Sequence, residues 1–292
     1  MLNPKEPEST EKLVSKLVQR NMDVGDETQA KAILERINYY RLATYWWEHR
    51  LHDAEGERFK EGTSLHQIAE VYNFDSELRS AVLLGISRFE IAFRSRLASV
   101  FSLNAGSFSH LNPANFKNRE KWAKTIAIIH DEYISSNEEF ARHHLEKYQE
   151  DFLPPIWVTV ELTTFGGLRY LYQNWSNKGN RQAVANYFGL DDRVFSSLIF
   201  HLESVRNVCA HHSRLWNRKF AIKPKLPKAF DKTFKNQPNL DPKNAAKIYN
   251  TLILLDFVNG FTGKEQSLIN QINDVLVRYP LIDRTKMGFP QV

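Results

Sequence analysis

The stretch FSSLIFHLESVRNVCAHHSRLWN, Phe195 to Asn217, decides how this chain reads. Phe195, Leu198, Ile199, Leu202, Val205 and Cys209 recur at the three-and-four spacing of one buried helix face. Arg206, Asn207, His211 and His212 are written into the end of that helix. Asn207 and His211, at i and i+4, stack on one line. Arg206 and His211 do not, because five helical steps turn about 140° and rise roughly 7.5 Å. These two can face one cleft only if the helix end is irregular or if two copies of the helix meet. The spot combines a permanent cation, an amide and two imidazoles, groups that hold a phosphate and move a proton near neutral pH.

Outward from this stretch the chain reads as helices. Residues 9–20 form a short one, capped by Ser9 or Thr10, with Leu13, Leu17 and Val18 inward. Asp26 caps the next, with Gln29 in the capping-box position, and Ile33, Ile37 and Tyr40 face in. That helix runs into an aromatic cluster of Tyr39, Tyr40, Tyr45, Trp46 and Trp47. With Arg36 and Arg41 these rings could stack bases, but the spacing suits a core. Residues 51–62 read as a loop or hairpin. Thr63 or Ser64 caps a helix through Tyr72, and Asp75 opens a long one to about Ser102, with Leu78, Val82, Ile86, Phe89, Phe93, Leu97 and Val100 inward. Residues 103–117 are loop, and 118–150 are charged helices forming an exposed cover, with His143 and His144 on its surface. After Pro154 and Pro155, a helix buries Trp157, Val160, Leu162 or Phe165, Leu168 and Leu171, and Gly166-Gly167 allows close approach or a kink. A helix over 181–188 stops at Gly189, and Asp191 or Asp192 caps the motif helix. Two more run over 243–259 and 264–278. The fold class is all-α, a bundle around the helices at 75–102, 155–173 and 192–212.

Composition narrows the function. A chain of 292 residues with 42% hydrophobic and 25% charged residues is ordinary globular protein. No apolar run is long enough to cross a bilayer, so no membrane partner is expected. The start MLNPKEPESTEK is unlike a secretory signal. A single cysteine excludes an internal disulfide and suits a cytoplasmic location. The net charge of +5 is unevenly spread. Residues 214–235 hold Arg214, Arg218, Lys219, Lys223, Lys225, Lys228, Lys232 and Lys235 against Asp231 alone. Such a tract suits a polyanion or simply keeps a loop solvated.

Arg206-Asn207 followed four residues later by His211 resembles the R-x4-H signature of the HEPN superfamily. The longer RNVCAHHSRLWNR resembles its Abi-like (abortive infection) branch. RINYYRLATYWW (36–47), YNFDSELR (72–79), ISRFEIAFRSRL (86–97), PPIWVTVELTTFGGLRYLY (154–172) and MGFP (287–290) are similar to stretches of that family too. The resemblance implies a HEPN-like helical bundle with added helices at both ends: an N-terminal segment, 1–62, packed on a domain spanning 63–292. It implies a metal-independent endoribonuclease that cuts RNA by 2′-OH attack at a composite homodimer site, with Arg206, Asn207 and His211 catalytic. It implies a phage-defence toxin restrained by a small RNA or an antitoxin protein. Arg214, Arg218, Lys219, Lys223 and Lys225 are the RNA-binding candidates, and His212, Arg94 and Arg88 the auxiliary ones. No cofactor or metal is expected.

Other readings stand beside this one. The fold could serve as a non-catalytic RNA-binding or scaffold module, or as a helical protein–protein adaptor. Arg206 and His211 could merely cap carbonyls or pair with Glu203. His201, Cys209, His211 and His212 could hold zinc, but no paired C-x-x-C or H-x-x-x-H frame supports it, and Cys209 reads as core.

Overall fold

The computed structural model describes residues 6–53, 56–148, 151–227, 237–263 and 266–291. It is all-α apart from one small hairpin. Its axis is α4, Leu65–Ala105. At 1.5 Å per residue this helix of 41 residues is about 60 Å long, long enough for the other helices to pack along it. Before it come α1 (Thr10–Gln19), α2 (Glu27–Arg36), α3 (Tyr39–Trp46) and a hairpin of β1 (Arg50–Asp53) and β2 (Gly56–Phe59), paired Arg50 to Phe59. After it come α5 (Arg119–Ser135), α6 (Glu139–Lys147), α7 (Ile156–Leu162), α8 (Phe165–Asn174), α9 (Lys178–Tyr187), α10 (Asp192–Ala210), α11 (Tyr249–Asn259) and α12 (Leu268–Arg278). Helices α7, α9, α10, α11 and α12 all pack on α4. At the centre, Phe89 and Phe93 of α4 meet Phe195 of α10 at ring distances of 5.9 and 5.4 Å, and Phe188 stacks on Phe195 at 5.2 Å. The inward stripe expected of α4 is buried throughout.

Several local expectations are corrected. Asp75 does not open a helix. Helix α4 runs through it without a break, and its carboxylate is fully buried. An aspartate looks like a cap in sequence, but here the donors come from elsewhere in the fold. Tyr45 Oη donates to Asp75 at 2.6 Å, Trp216 N–H at 2.6 Å and Leu215 N–H at 3.1 Å, and Arg79 completes the set. Helix α2 stops at Ile37, and Asn38 caps a new helix by accepting from Tyr40 N–H at 2.9 Å. The reset leaves Tyr45 and Trp46 in the core but turns Tyr40 out, 74% exposed. Val18 and Trp157 also face solvent. The expected helix at 155–173 is two: Thr164 caps α8, and the buried positions of α7 are Ile156, Thr159 and Val160. Thr159 is tolerated there because its hydroxyl donates to the Pro154 carbonyl at 2.7 Å. Residues 118–150 are more than a cover. Helix α5 buries Ile126, Ile129 and Tyr133, and His144 is buried against the Tyr133 hydroxyl at 2.8 Å, whereas His143 is exposed.

Two other histidines lie in the core. His201 Nδ1 faces the Ile222 carbonyl at 2.8 Å, and its Nε2 faces the Thr251 hydroxyl at 2.7 Å. A carbonyl only accepts, so the proton sits on Nδ1 and the neutral ring is satisfied at both ends. His110 lies beside Thr159 Oγ1 at 3.2 Å. Burial pushes both down from 6.5 to about 4. The unfolded chain therefore binds protons between those values that the fold refuses. Stability from these two rings is complete above pH 6.5 and drains away as pH falls toward 4, by roughly 3 kcal/mol for each. Urea titrations at pH 7 and pH 5 should show the loss, and His201→Asn should remove about half of it, leaving the share of His110. An unchanged midpoint across that range would contradict this account.

Candidate functional site

Helix α10 starts where Asp191 accepts from Val194 N–H at 2.9 Å. It ends in a Schellman arrangement. Ser213 N–H donates to the Val208 carbonyl at 2.9 Å and His212 N–H to that of Cys209 at 3.0 Å. The residue at the left-handed position is His212, at φ 54°, where glycine is usual. Tertiary bonds hold it there: Arg41 of α3 donates to the His212 carbonyl at 2.6 Å, and Asp75 fixes the next residues, Leu215 and Trp216. The turn carrying the two histidines is thus tied to α3 and α4.

The basic segment then runs back along α10. The Ile222 carbonyl accepts from His201, and Lys225 N–H donates to Ser197 Oγ at 2.9 Å. Lys219, Lys223 and Lys225 are exposed on it, and Arg214 and Arg218 are half-buried. Lys228, Lys232 and Lys235 lie outside the described residues.

Two open grooves flank the turn. The first, about 430 Å³, lies between α8, α10 and the returning segment and is lined by Arg169, Phe200, Asn207, His211 and Arg218 among others. The second, about 500 Å³, lies toward α3 and is lined by Tyr40, Arg41, His211, His212, Arg214 and Arg218 among others. His211 stands on the ridge between them, exposed to both. Asn207 and His211 share the first groove, as their spacing predicts. Arg206 lines neither groove. It is exposed and makes no hydrogen bond or ion pair among the described residues.

Glu203 is not a partner for Arg206. It accepts from Nε of Arg169, whose guanidinium lies over Tyr170 and Phe200 at 4.1 and 4.8 Å. A Cβ on Gly166 would come within 2.7 Å of Glu203 Oε1, so the glycine permits this approach of α8 to α10. Of the auxiliary candidates, Arg94 is committed to Glu90 and to the Val160 carbonyl at the end of α7, and it lines neither groove. Arg88 is half-buried on α4 and lines neither groove.

The zinc reading has no frame in the fold. His201 is buried with both nitrogens used, and among the described residues no three His, Cys, Asp or Glu side chains converge. Cys209 is core, and burial with the nearby Asp75 charge pushes its thiol up to about 12. It should resist a thiol reagent at pH 8 in the folded protein and react once the protein is unfolded in urea. Fast labelling of the native protein would contradict that environment.

Sequence reasoning missed Tyr40 as a surface residue, Asp75 as the anchor of the turn, and Arg169 with Glu203. The i, i+4 pair Asp75–Arg79, set on an otherwise apolar stripe, was the one available signal of a buried ion pair. No described helix is long and apolar enough to cross a membrane. A family model for Abi-like proteins matches residues 32–217. The match takes in the turn and most of the lining of both grooves, though not Arg218 or Ile222, and it covers the motif stretches quoted above except MGFP and the final Arg218 of RNVCAHHSRLWNR. No curated protein and no solved structure matches the chain.

Proposed function

The chain belongs to the Abi-like protein family, and from that premise we propose that it is a HEPN-type endoribonuclease acting in abortive infection as a homodimer. The observation that carries this reading is the idle cation. Arg206 is exposed and unpartnered among the described residues, about 140° round α10 from the groove that holds Asn207 and His211. A protomer alone makes no use of it. Two α10 ends meeting across a twofold axis would bring each Arg206 toward the other copy's His211.

In that composite site the ribose 2′-oxygen attacks the adjacent phosphorus and the bond to the 5′-oxygen breaks. The 2′ proton leaves to one imidazole, and the 5′-oxygen takes a proton from another. Arg206 holds the charge that builds on the phosphoryl oxygens, and Asn207, one turn before His211, orients the ring or the phosphate. The products are a 2′,3′-cyclic phosphate and a free 5′-hydroxyl. The basic groove residues Arg214 and Arg218 would hold the strand.

Purified protein incubated with single-stranded RNA in EDTA tests this. Fragments ending in a 2′,3′-cyclic phosphate are expected, and the same sequence made as DNA should stay whole. Tight RNA binding with no cleavage under any activating condition would instead favour a non-catalytic RNA-binding module. The displacement of Arg206 from the groove within one protomer is the observation on that side.

A further inference from the structure

The second groove has features that the cutting reaction does not require. Tyr40 is the most exposed ring of an aromatic run whose neighbours Tyr45 and Trp46 are buried. Tyr39 braces it edge-on at 5.6 Å, and Tyr39 is itself held by Trp46 at 5.1 Å and by a hydrogen bond from Arg20. A ring so supported is a platform with a free face. Beside it the groove gathers three guanidinium groups, and no described carboxylate lines it. Two of these groups, Arg41 and Arg218, are pre-positioned by carbonyls rather than paired with acids. Arg41 Nη1 donates to His212 O, and Arg218 Nε donates to Arg214 O at 2.6 Å. The terminal nitrogens of Arg218 have no partner among the described residues, and the Arg214 side chain makes no hydrogen bond or ion pair there, although its charge reaches the Glu48 carboxylate outside the groove. The first groove differs, since its arginine at 169 is already paired with Glu203.

We propose that the second groove is a nucleotide subsite for single-stranded RNA, in which an unpaired base stacks on Tyr40 while Arg41, Arg214 and Arg218 hold the neighbouring phosphate next to His211. The inference rests on the ribonuclease reading for its ligand. It goes further in naming which strands qualify. Stacking needs a base with a bare face, and a duplex has none to offer along its length. A groove of about 500 Å³ is also of the size that takes one small ligand rather than a helix. The turn at Ile37 and Asn38, which breaks α2 from α3, is what delivers Tyr40 to this place.

A short single-stranded RNA with every ribose 2′-O-methylated is the probe, because no 2′ attack can cut it. Its affinity is read by fluorescence anisotropy across a salt series. Tyr40→Ala should weaken binding by about 5- to 100-fold, and Tyr40→Phe should restore it. Arg218→Gln should lower the slope of log affinity against log salt by about 0.7. The same strand annealed into a blunt duplex should bind more weakly and ignore Tyr40→Ala. Equal affinity of wild type and Tyr40→Ala, with melting curves that coincide, would overturn the subsite, as would equal losses for strand and duplex. Failure here is separable from failure of the nuclease reading. An uncut natural RNA together with Tyr40-dependent binding of the probe removes the nuclease and keeps the subsite. Cleavage with Tyr40-independent binding does the reverse.

Discussion

Replacing His211 with alanine is expected to cut RNA cleavage by about 10²- to 10⁴-fold, the usual worth of a positioned proton carrier, while leaving the melting temperature where it was. The second half follows from the position of the ring. His211 is exposed, as the C-cap just past the end of α10, and the Schellman bonds around it use backbone atoms that alanine also supplies. Its loss therefore removes an imidazole and little packing. Arg206→Ala should cost activity on a similar scale for a different reason, since it withdraws charge from the phosphoryl oxygens. Because Arg206 is exposed and unpaired among the described residues, that variant too should fold normally. The two-copy requirement adds a sharper readout. Excess His211→Ala protein mixed into wild type should depress the rate beyond simple dilution, as mixed dimers form around one defective set. A rate that tracks the wild-type concentration alone would show that one protomer cuts by itself. Normal cleavage by His211→Ala would remove the ring from the chemistry altogether.

Much of this was legible in the sequence, and the limits follow the range of the interactions. The buried face of α10, its Asp191 cap and the core position of Cys209 follow from periodicity and local hydrogen bonds, so spacing alone finds them. The phase difference between Arg206 and His211 is helix geometry, and the fold keeps it. What spacing could not reach depends on partners far along the chain. Whether α2 continues past Ile37 turns on a single capping bond at Asn38, and that bond decides whether Tyr40 is core or surface. Asp75 reads as a cap until the backbone of Leu215 and Trp216, about 140 residues away, is seen to donate to it. The basic tract reads as a loose loop, yet His201 and Ser197 hold it along α10. His201 is hidden for the same reason, because its two acceptor and donor partners come from Ile222 and Thr251.

Asp75→Ala should therefore be the most damaging single substitution outside the chemistry, costing about 3–5 kcal/mol. The carboxylate is wholly buried and receives Tyr45, Arg79 and two backbone N–H groups. Removing it leaves Arg79 as a buried charge without its counter-ion, and it orphans the N–H groups of Leu215 and Trp216. At roughly 2–4 °C per kcal/mol for a chain of this size class, the melting temperature should fall by about 6–20 °C. Asp75→Asn keeps one acceptor oxygen and should fall between that variant and wild type. The pairing of Asp75→Ala with Arg79→Met separates the two sources of the loss. If the stranded guanidinium dominates, the double variant recovers most of the stability. If the unbonded turn dominates, the recovery is small, and activity measured well below both melting points stays low because His211 is no longer held between the grooves. The latter is expected, since two of the carboxylate's donors belong to the residues that follow the histidines, and among the described residues the turn would then be tied only through Arg41 to His212 O and through Asn217 to Glu48. A melting temperature for Asp75→Ala within a degree or two of wild type would mean that the turn is held by something other than this buried carboxylate.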